Sequence, residues 1–79
     1  MRYFRLFDAF RREGDLYRFN GEVLEMQSTE DGGWLIVIEF SLFDFPTPEA
    51  YFDLYLEGAG KFNNDPNARY EEVTAQYAG

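Results

Sequence analysis

No cysteine and no histidine occur among the 79 residues. Their absence removes thiolate chemistry, disulfides, the usual zinc ligand sets and every catalytic dyad built on an imidazole or a thiol. Long hydrophobic runs are missing as well. The longest apolar segment, Trp34 to Ile38, falls far short of the roughly 18 residues that a membrane helix needs. At the start, Arg2 and Arg5 interrupt Tyr3, Phe4, Leu6 and Phe7, a pattern without the continuous apolar stretch or the small-residue cleavage site of a signal peptide. The sequence therefore predicts a cytoplasmic setting without membrane contact.

Positive charge is scarce and unevenly placed. Seven Lys and Arg stand against fifteen Asp and Glu, for a net charge of -8. Residues 1–20 hold Arg2, Arg5, Arg11, Arg12 and Arg18 against Asp8, Glu13 and Asp15, a balance of +2. Residues 21–79 hold twelve acids against Lys61 and Arg69, a balance of -10. Duplex-binding proteins gain affinity by neutralising phosphates with Lys and Arg, so this field argues against direct nucleic-acid binding and for a basic partner.

Aromatic residues are plentiful: one Trp, six Tyr and nine Phe. Rings of that size each bury roughly 150 to 250 Å², enough apolar mass for a chain of this length to form one core without a covalent staple. A single domain, 1–79, is expected. Within Arg2 to Arg12, Phe4 and Leu6 alternate with charges as in a strand while Phe4, Phe7 and Phe10 recur at helical spacing, and the aromatic content favours a first strand. Glu13, Gly14 and Asp15 then read as a turn into a second strand from Leu16 to about Gln27. Asn20-Gly21, a strong hairpin dipeptide, is the alternative that splits this second segment in two. Trp34, Ile36, Ile38, Phe40 and Leu42 alternate after the turn residues Glu30 to Gly33, and predict a central strand with one buried face.

Beyond Phe45 the pattern becomes helical. Thr47 can cap, Pro48 suits the first turn, Glu49 complements the positive helix end, and Gly58 suits a left-handed C-terminal position. The predicted helix spans Pro48 to Glu57, with Ala50, Tyr51, Leu54 and Tyr55 on the sheet aided by Phe52 and Leu56. Ala59 to Asn64 reads as loop. Asp65-Pro66 repeats the capping signature before Tyr70, Val73, Thr74 and Tyr77, which predicts a short terminal helix, with a last strand over Arg69 to Tyr77 as the competing reading. Together these elements compose an α+β fold: a small antiparallel sheet of about three strands covered by one or two short helices.

Glu49, Asp53 and Glu57 recur every four residues on the predicted helix, and at 1.5 Å per residue they form a column of carboxylates about 6 Å apart. Like charges at this spacing cost a few tenths of a kcal/mol per pair, and a sequence tuned only for stability would place a lysine among them. A solvated helix face is the plain reading of such a column. Its weight falls because Glu22, Glu25, Glu30, Asp31, Asp44, Glu71 and Glu72 add to the same sign. A glycosidase pair would need a substrate cleft that a chain with about three strands has little room to build. Asp65 and Asn67 open like a calcium loop, but Arg69 and Tyr70 stand where that motif wants a ligand and a glycine. No catalytic residue, metal ligand or cofactor site is therefore assigned. The N-terminal aromatics Tyr3, Phe4, Phe7, Phe10, Tyr17 and Phe19 interleave with arginines, which are expected to pair with the chain's own acids while the rings form core.

The short single domain, the -10 balance after residue 20, the Glu49, Asp53, Glu57 column and the lack of a catalytic set make the chain resemble the small acidic inhibitors carried by phages, above all anti-CRISPR proteins and anti-restriction DNA mimics. The likeness is one of type and transfers no motif residue by residue. It implies a non-catalytic inhibitor acting in the cytoplasm of a host bacterium, bound stoichiometrically to a Cas effector or restriction subunit and occluding its DNA channel. The candidate contact residues are Glu49, Asp53 and Glu57, the turn acids Glu30 and Asp31, Asp44, and the helix tyrosines Tyr51 and Tyr55 as anchors. Two further readings stay open: an immunity protein or antitoxin set against a nuclease toxin, and an acidic adaptor subunit of a larger assembly.

Overall fold

Alternating side chains carry the first half of the chain through four strands: β1 (Arg2–Phe7), β2 (Glu13–Phe19), β3 (Val23–Gln27) and β4 (Trp34–Glu39). The computed structural model describes residues 1–8, 13–44, 46–62 and 65–77. A 3-10 turn (Phe40–Leu42) leads towards α1 (Pro48–Glu57) and the one-turn α2 (Ala59–Phe62). The chain then returns through β5 (Arg69–Glu72) and closes on α3 (Thr74–Tyr77). The five strands form one antiparallel sheet in the order β4-β3-β2-β1-β5. The α+β class with an antiparallel sheet is as expected, but the sheet has five strands where about three were predicted.

One of the two extra strands has a local cause. Asn20 Oδ1 accepts hydrogen bonds from the backbone N–H groups of Glu22 and Val23, both at 2.9 Å, and Gly21 takes φ +103°. This side-chain turn divides the expected Leu16 to Gln27 strand into β2 and β3, the alternative left open above. Glu13 to Asp15 do not form a turn, because β2 already begins at Glu13. Gly14 marks a close approach instead: a β-carbon there would lie 2.8 Å from the carbonyl oxygen of Leu6, where the β1–β2 register shifts between Arg5 and Phe7.

The expected central strand is at the edge. β4 pairs only with β3, and the register shift opposite Leu24 and Glu25 changes which side chains share a face. Ile38 joins the core while Ile36 is 60 % exposed, so the unbroken Trp34 to Leu42 alternation does not describe one buried face. Strand geometry stops at Glu39. Phe40 donates its N–H to the Glu22 carbonyl at 2.8 Å and turns its ring fully into the core.

The core lies between α1 and one face of the sheet. Phe52, 0 % exposed, stacks on Phe19 at 3.9 Å between centroids and meets Phe4 and Phe40 edge-on at 5.3 and 5.6 Å. Such offset and edge-on arrangements suit the ring quadrupole. Phe52 and Tyr55 are the buried residues of α1, whereas Leu54, expected on the sheet, faces solvent. Gly58 follows the helix at φ -89°, not in the left-handed region, and the chain winds directly into α2 where a loop had been expected. Asn64, the end of that expected loop, lies outside the described residues. The predicted terminal helix and the competing strand each hold for half of the segment: β5 pairs with β1 through Phe4↔Glu72 and Leu6↔Tyr70, and Thr74–Tyr77 is helical. Pairing with β1 satisfies the backbone of residues 69–72, and that gain outweighs the helical spacing of their side chains.

Candidate partner-binding surface

Local sequence sets α1 firmly. Thr47 Oγ1 accepts the Ala50 N–H at 3.0 Å, Pro48 occupies the first turn, and the Gly58 N–H closes on the Leu54 carbonyl at 3.0 Å. With Phe52 and Tyr55 pinned beneath, Glu49, Asp53 and Glu57 are all left exposed along the helix. Their carboxylates make no ion pair among the described residues. The column predicted from spacing therefore exists as a solvent-facing row along α1.

The fold adds charges that sequence distance hides. Glu49 Oε1 reaches back over the β2–β3 turn, 3.8 Å from where a β-carbon on Gly21 would stand, which brings the exposed Glu22 close to the column. Asp44, exposed, lies in the connection from the 3-10 turn to α1, next to Phe43, whose ring contacts Tyr51 at 5.1 Å. Arg2 comes up on the other side of the helix. Its guanidinium sits 5.1 Å from the Phe4 ring and 5.8 Å from the Phe52 ring, and it donates twice to Glu72, at 3.1 and 3.0 Å. The hydrogen bonds that Arg2 donates to Glu72 raise the Arg2 pKa above its usual value, and the fields of Glu72, Asp53 and Glu49 add to that rise. Hydrogen bonds from Arg2 and then Thr74 lower the Glu72 carboxyl below the ordinary glutamate range.

The remaining candidates are divided. Glu30 and Asp31 are exposed in the β3–β4 turn, which is closed by Gly33 N–H to Asp31 Oδ1 at 2.8 Å and Ser28 N–H to the Gly33 carbonyl at 2.7 Å. That turn lies beyond the last residue of β3 while Glu22 lies before the first, so about 16 Å of strand separates these acids from the Glu22 and Glu49 end. Tyr51 is half-buried against Phe40 and Phe43. Tyr55 is 5 % exposed, and its hydroxyl shares a hydrogen bond with that of Tyr70 at 3.0 Å. Tyr55 is therefore core and not a surface anchor.

The uncovered face of the sheet carries a second constellation that the spacing argument did not assemble. Arg18 lies 4.1 Å from the Trp34 ring centre and bonds Glu25 at 2.9 Å. Trp34 meets Tyr3 edge-on at 6.3 Å, and Tyr3 stacks on Tyr77 at 5.0 Å. Arg5 donates to the Tyr77 hydroxyl at 3.1 Å and to the Gly14 carbonyl at 3.2 Å. Arg2 and Arg18 thus pair with the chain's own acids, as expected; Phe10, Arg11 and Arg12 lie outside the described residues. Alternation of Tyr3 with Phe4 and of Arg18 with Tyr17 was the available signal for this face.

Among the described residues no group of His, Cys, Asp and Glu is placed to hold a metal ion, and no helix is long and apolar enough to cross a membrane. Compared with protein-family models, curated proteins and solved structures, the chain matches none.

Proposed function

We propose that this protein is a non-catalytic inhibitor that lays the acidic side of α1 into the basic, nucleic-acid-binding groove of a defence complex, such as a Cas effector or restriction subunit, and blocks DNA there. The observation that carries this reading is the row Glu49, Asp53 and Glu57, exposed on a helix whose opposite side is locked by Phe52 and Tyr55. A helix anchored by Phe52 and Tyr55 presents the three carboxylates along one exposed line, so their field steers encounter as well as contributing to the bound state. Glu22 and Asp44 extend the negative surface around the helix start, whereas Glu30 and Asp31 belong to a separate end of the sheet. Tyr51, with Phe43 and the exposed Leu54, supplies apolar area beside the acids.

Reversal of the row, by Glu49→Lys, Asp53→Lys and Glu57→Lys together, tests the reading. Wild-type protein should capture a Cas or restriction subunit from lysate expressing candidate systems, release it as salt rises, and be displaced by duplex DNA. The triple variant, with an unchanged circular dichroism spectrum, should lose most of its association rate and salt dependence. Unchanged capture by the variant, or capture indifferent to salt and DNA, removes α1 from the interface and the inhibitor reading with it.

A further inference from the structure

The edge strand β4 and the segment after it hold a run of exposed apolar side chains: Leu35 at 55 %, Ile36 at 60 %, Val37 at 39 %, Leu42 at 76 % and Phe43 at 49 %. Only β3 pairs with β4, so its other side presents main-chain groups with no neighbouring strand among the described residues. Long apolar edges of this kind template pairing with another strand. We propose that β4 pairs antiparallel with β4 of a second copy of this chain, about a two-fold axis between Ile36 and Val37. The proposal is independent of the partner read for α1.

The register shift in β4 makes that pairing geometrically consistent. Ile38 lies opposite Leu24 and Ile36 opposite Glu25, which leaves Val37 as an extra residue on β4. Trp34 and Glu39 consequently share the uncovered face, opposite Gln27 and Val23, while Leu35 and Ile38 share the helix-covered face, opposite Met26 and Leu24. An axis between Ile36 and Val37 sets Trp34 against Glu39 of the second copy and Leu35 against its Ile38. Both pairs then lie on a common face, as directly opposed residues in an antiparallel ladder must. In a strand without the extra residue, the same axis would oppose side chains pointing to different faces.

Charge and area support the same occupant. Glu39 is the one ionisable residue of β4, and in this register it meets Trp34, whose ring already carries the Arg18 guanidinium at 4.1 Å. The two Glu39 side chains fall at opposite ends of the pair, whereas a parallel pairing would set them together. Leu35, Ile36 and Val37, the exposed apolar side chains within the paired strand, hold on the order of 300 Å² per copy, which places the contact among small, reversible interfaces. A dissociable dimer is the expected form.

Sedimentation velocity on the full chain over a concentration series tests this. The mass should rise from the 9.3 kDa monomer towards twice that value. Ile36→Lys and Val37→Glu, both at exposed positions, should each leave the circular dichroism spectrum unchanged and the protein monomeric. An equimolar mixture of the two should recover the dimer, because the introduced lysine of one copy faces the introduced glutamate of the other. Hydrogen exchange on the wild type gives a second measure: amide protection that grows with concentration should be confined to β4. A wild type that is monomeric throughout, a dimer insensitive to both substitutions, a mixture that fails to recover it, or protection arising elsewhere overturns the proposal. So does a monomer whose β4 edge is occupied only by a strand of another protein.

Discussion

One face of the sheet is closed by α1 around Phe52, and the other is left open beneath a row of rings and guanidinium groups. Both faces are rich in aromatic residues, yet they hold together by different means. On the closed face Phe4, Phe19, Phe40 and Phe52 remove nearly all their surface from water and touch one another at 3.9 to 5.8 Å. On the open face Trp34, Tyr3 and Tyr77 remain partly or largely exposed, and Arg18 and Arg5 bridge the rings to Glu25, Gly14 and the Tyr77 hydroxyl. Even so, Leu16, which alternates away from the core residue Tyr17, is 5 % exposed. Burial alone thus does not separate the faces; contact with α1 does.

The contrast yields graded predictions. Phe52→Ala should be the most damaging change, because it leaves a cavity among three other rings and costs about 3 to 5 kcal/mol. A chain of this length has a total stability of the same order, so urea denaturation should find the variant largely unfolded. High pH comes next and strikes the closed face. Burial raises the Tyr17 and Tyr55 phenols well above their ordinary range, with Tyr70 and the Asp15 charge adding to the rise at Tyr17 and Tyr70 and Tyr17 adding to it at Tyr55. A folded pKa above the unfolded one means that the stabilisation is complete below about pH 10 and disappears as pH rises through the folded values. Stability measured against pH should therefore fall above about pH 10, and Tyr55→Phe should reduce that fall.

Open-face changes should be milder. Trp34→Ala, which removes the platform under Arg18 and the edge contact to Tyr3, should cost about 1 kcal/mol by thermal unfolding. A loss as large as that of Phe52→Ala would abolish the distinction between the faces. Smallest is Glu72→Gln: the Arg2–Glu72 pair is substantially exposed and contributes about 0.2 to 1 kcal/mol. Because the Glu72 pKa is lowered in the folded state, this contribution is present above the ordinary carboxylate range and is lost as pH falls through the folded value. Glu72→Gln should therefore flatten the acid limb of the stability profile slightly and leave the neutral plateau nearly unchanged.

Much of the local structure was legible along the chain. The Thr47 cap, Pro48 and the Pro48–Glu57 span were read as they stand, as were the β3–β4 turn and the exposed spacing of Glu49, Asp53 and Glu57. These features depend on residues within four or five positions of one another. Apart from the C-terminal end of α1, where Gly58 stays out of the left-handed region and α2 replaces a loop, the errors lie where a distant segment decides. Periodicity in Trp34 to Leu42 detects apolar side chains but does not count hydrogen-bonded neighbours, so it missed both the edge position and the register shift. Residues 69–72 carry helical spacing, yet β1 had an unpaired side to offer them. Tyr55 looked like a possible anchor until the sheet closed over it.

By itself the sequence determined the charge, the missing imidazoles and thiols, the helix with its cap and its acidic row, and the two side-chain turns, since each is a property of composition or of short-range geometry. Tertiary structure alone decided that β4 is an edge, that Arg2 and Glu22 flank the acidic helix, that Arg18 rests on Trp34, and that one of two aromatic faces is closed. Strand pairing and register are contacts between residues far apart in sequence, and no local preference specifies which of several compatible partners each strand will meet.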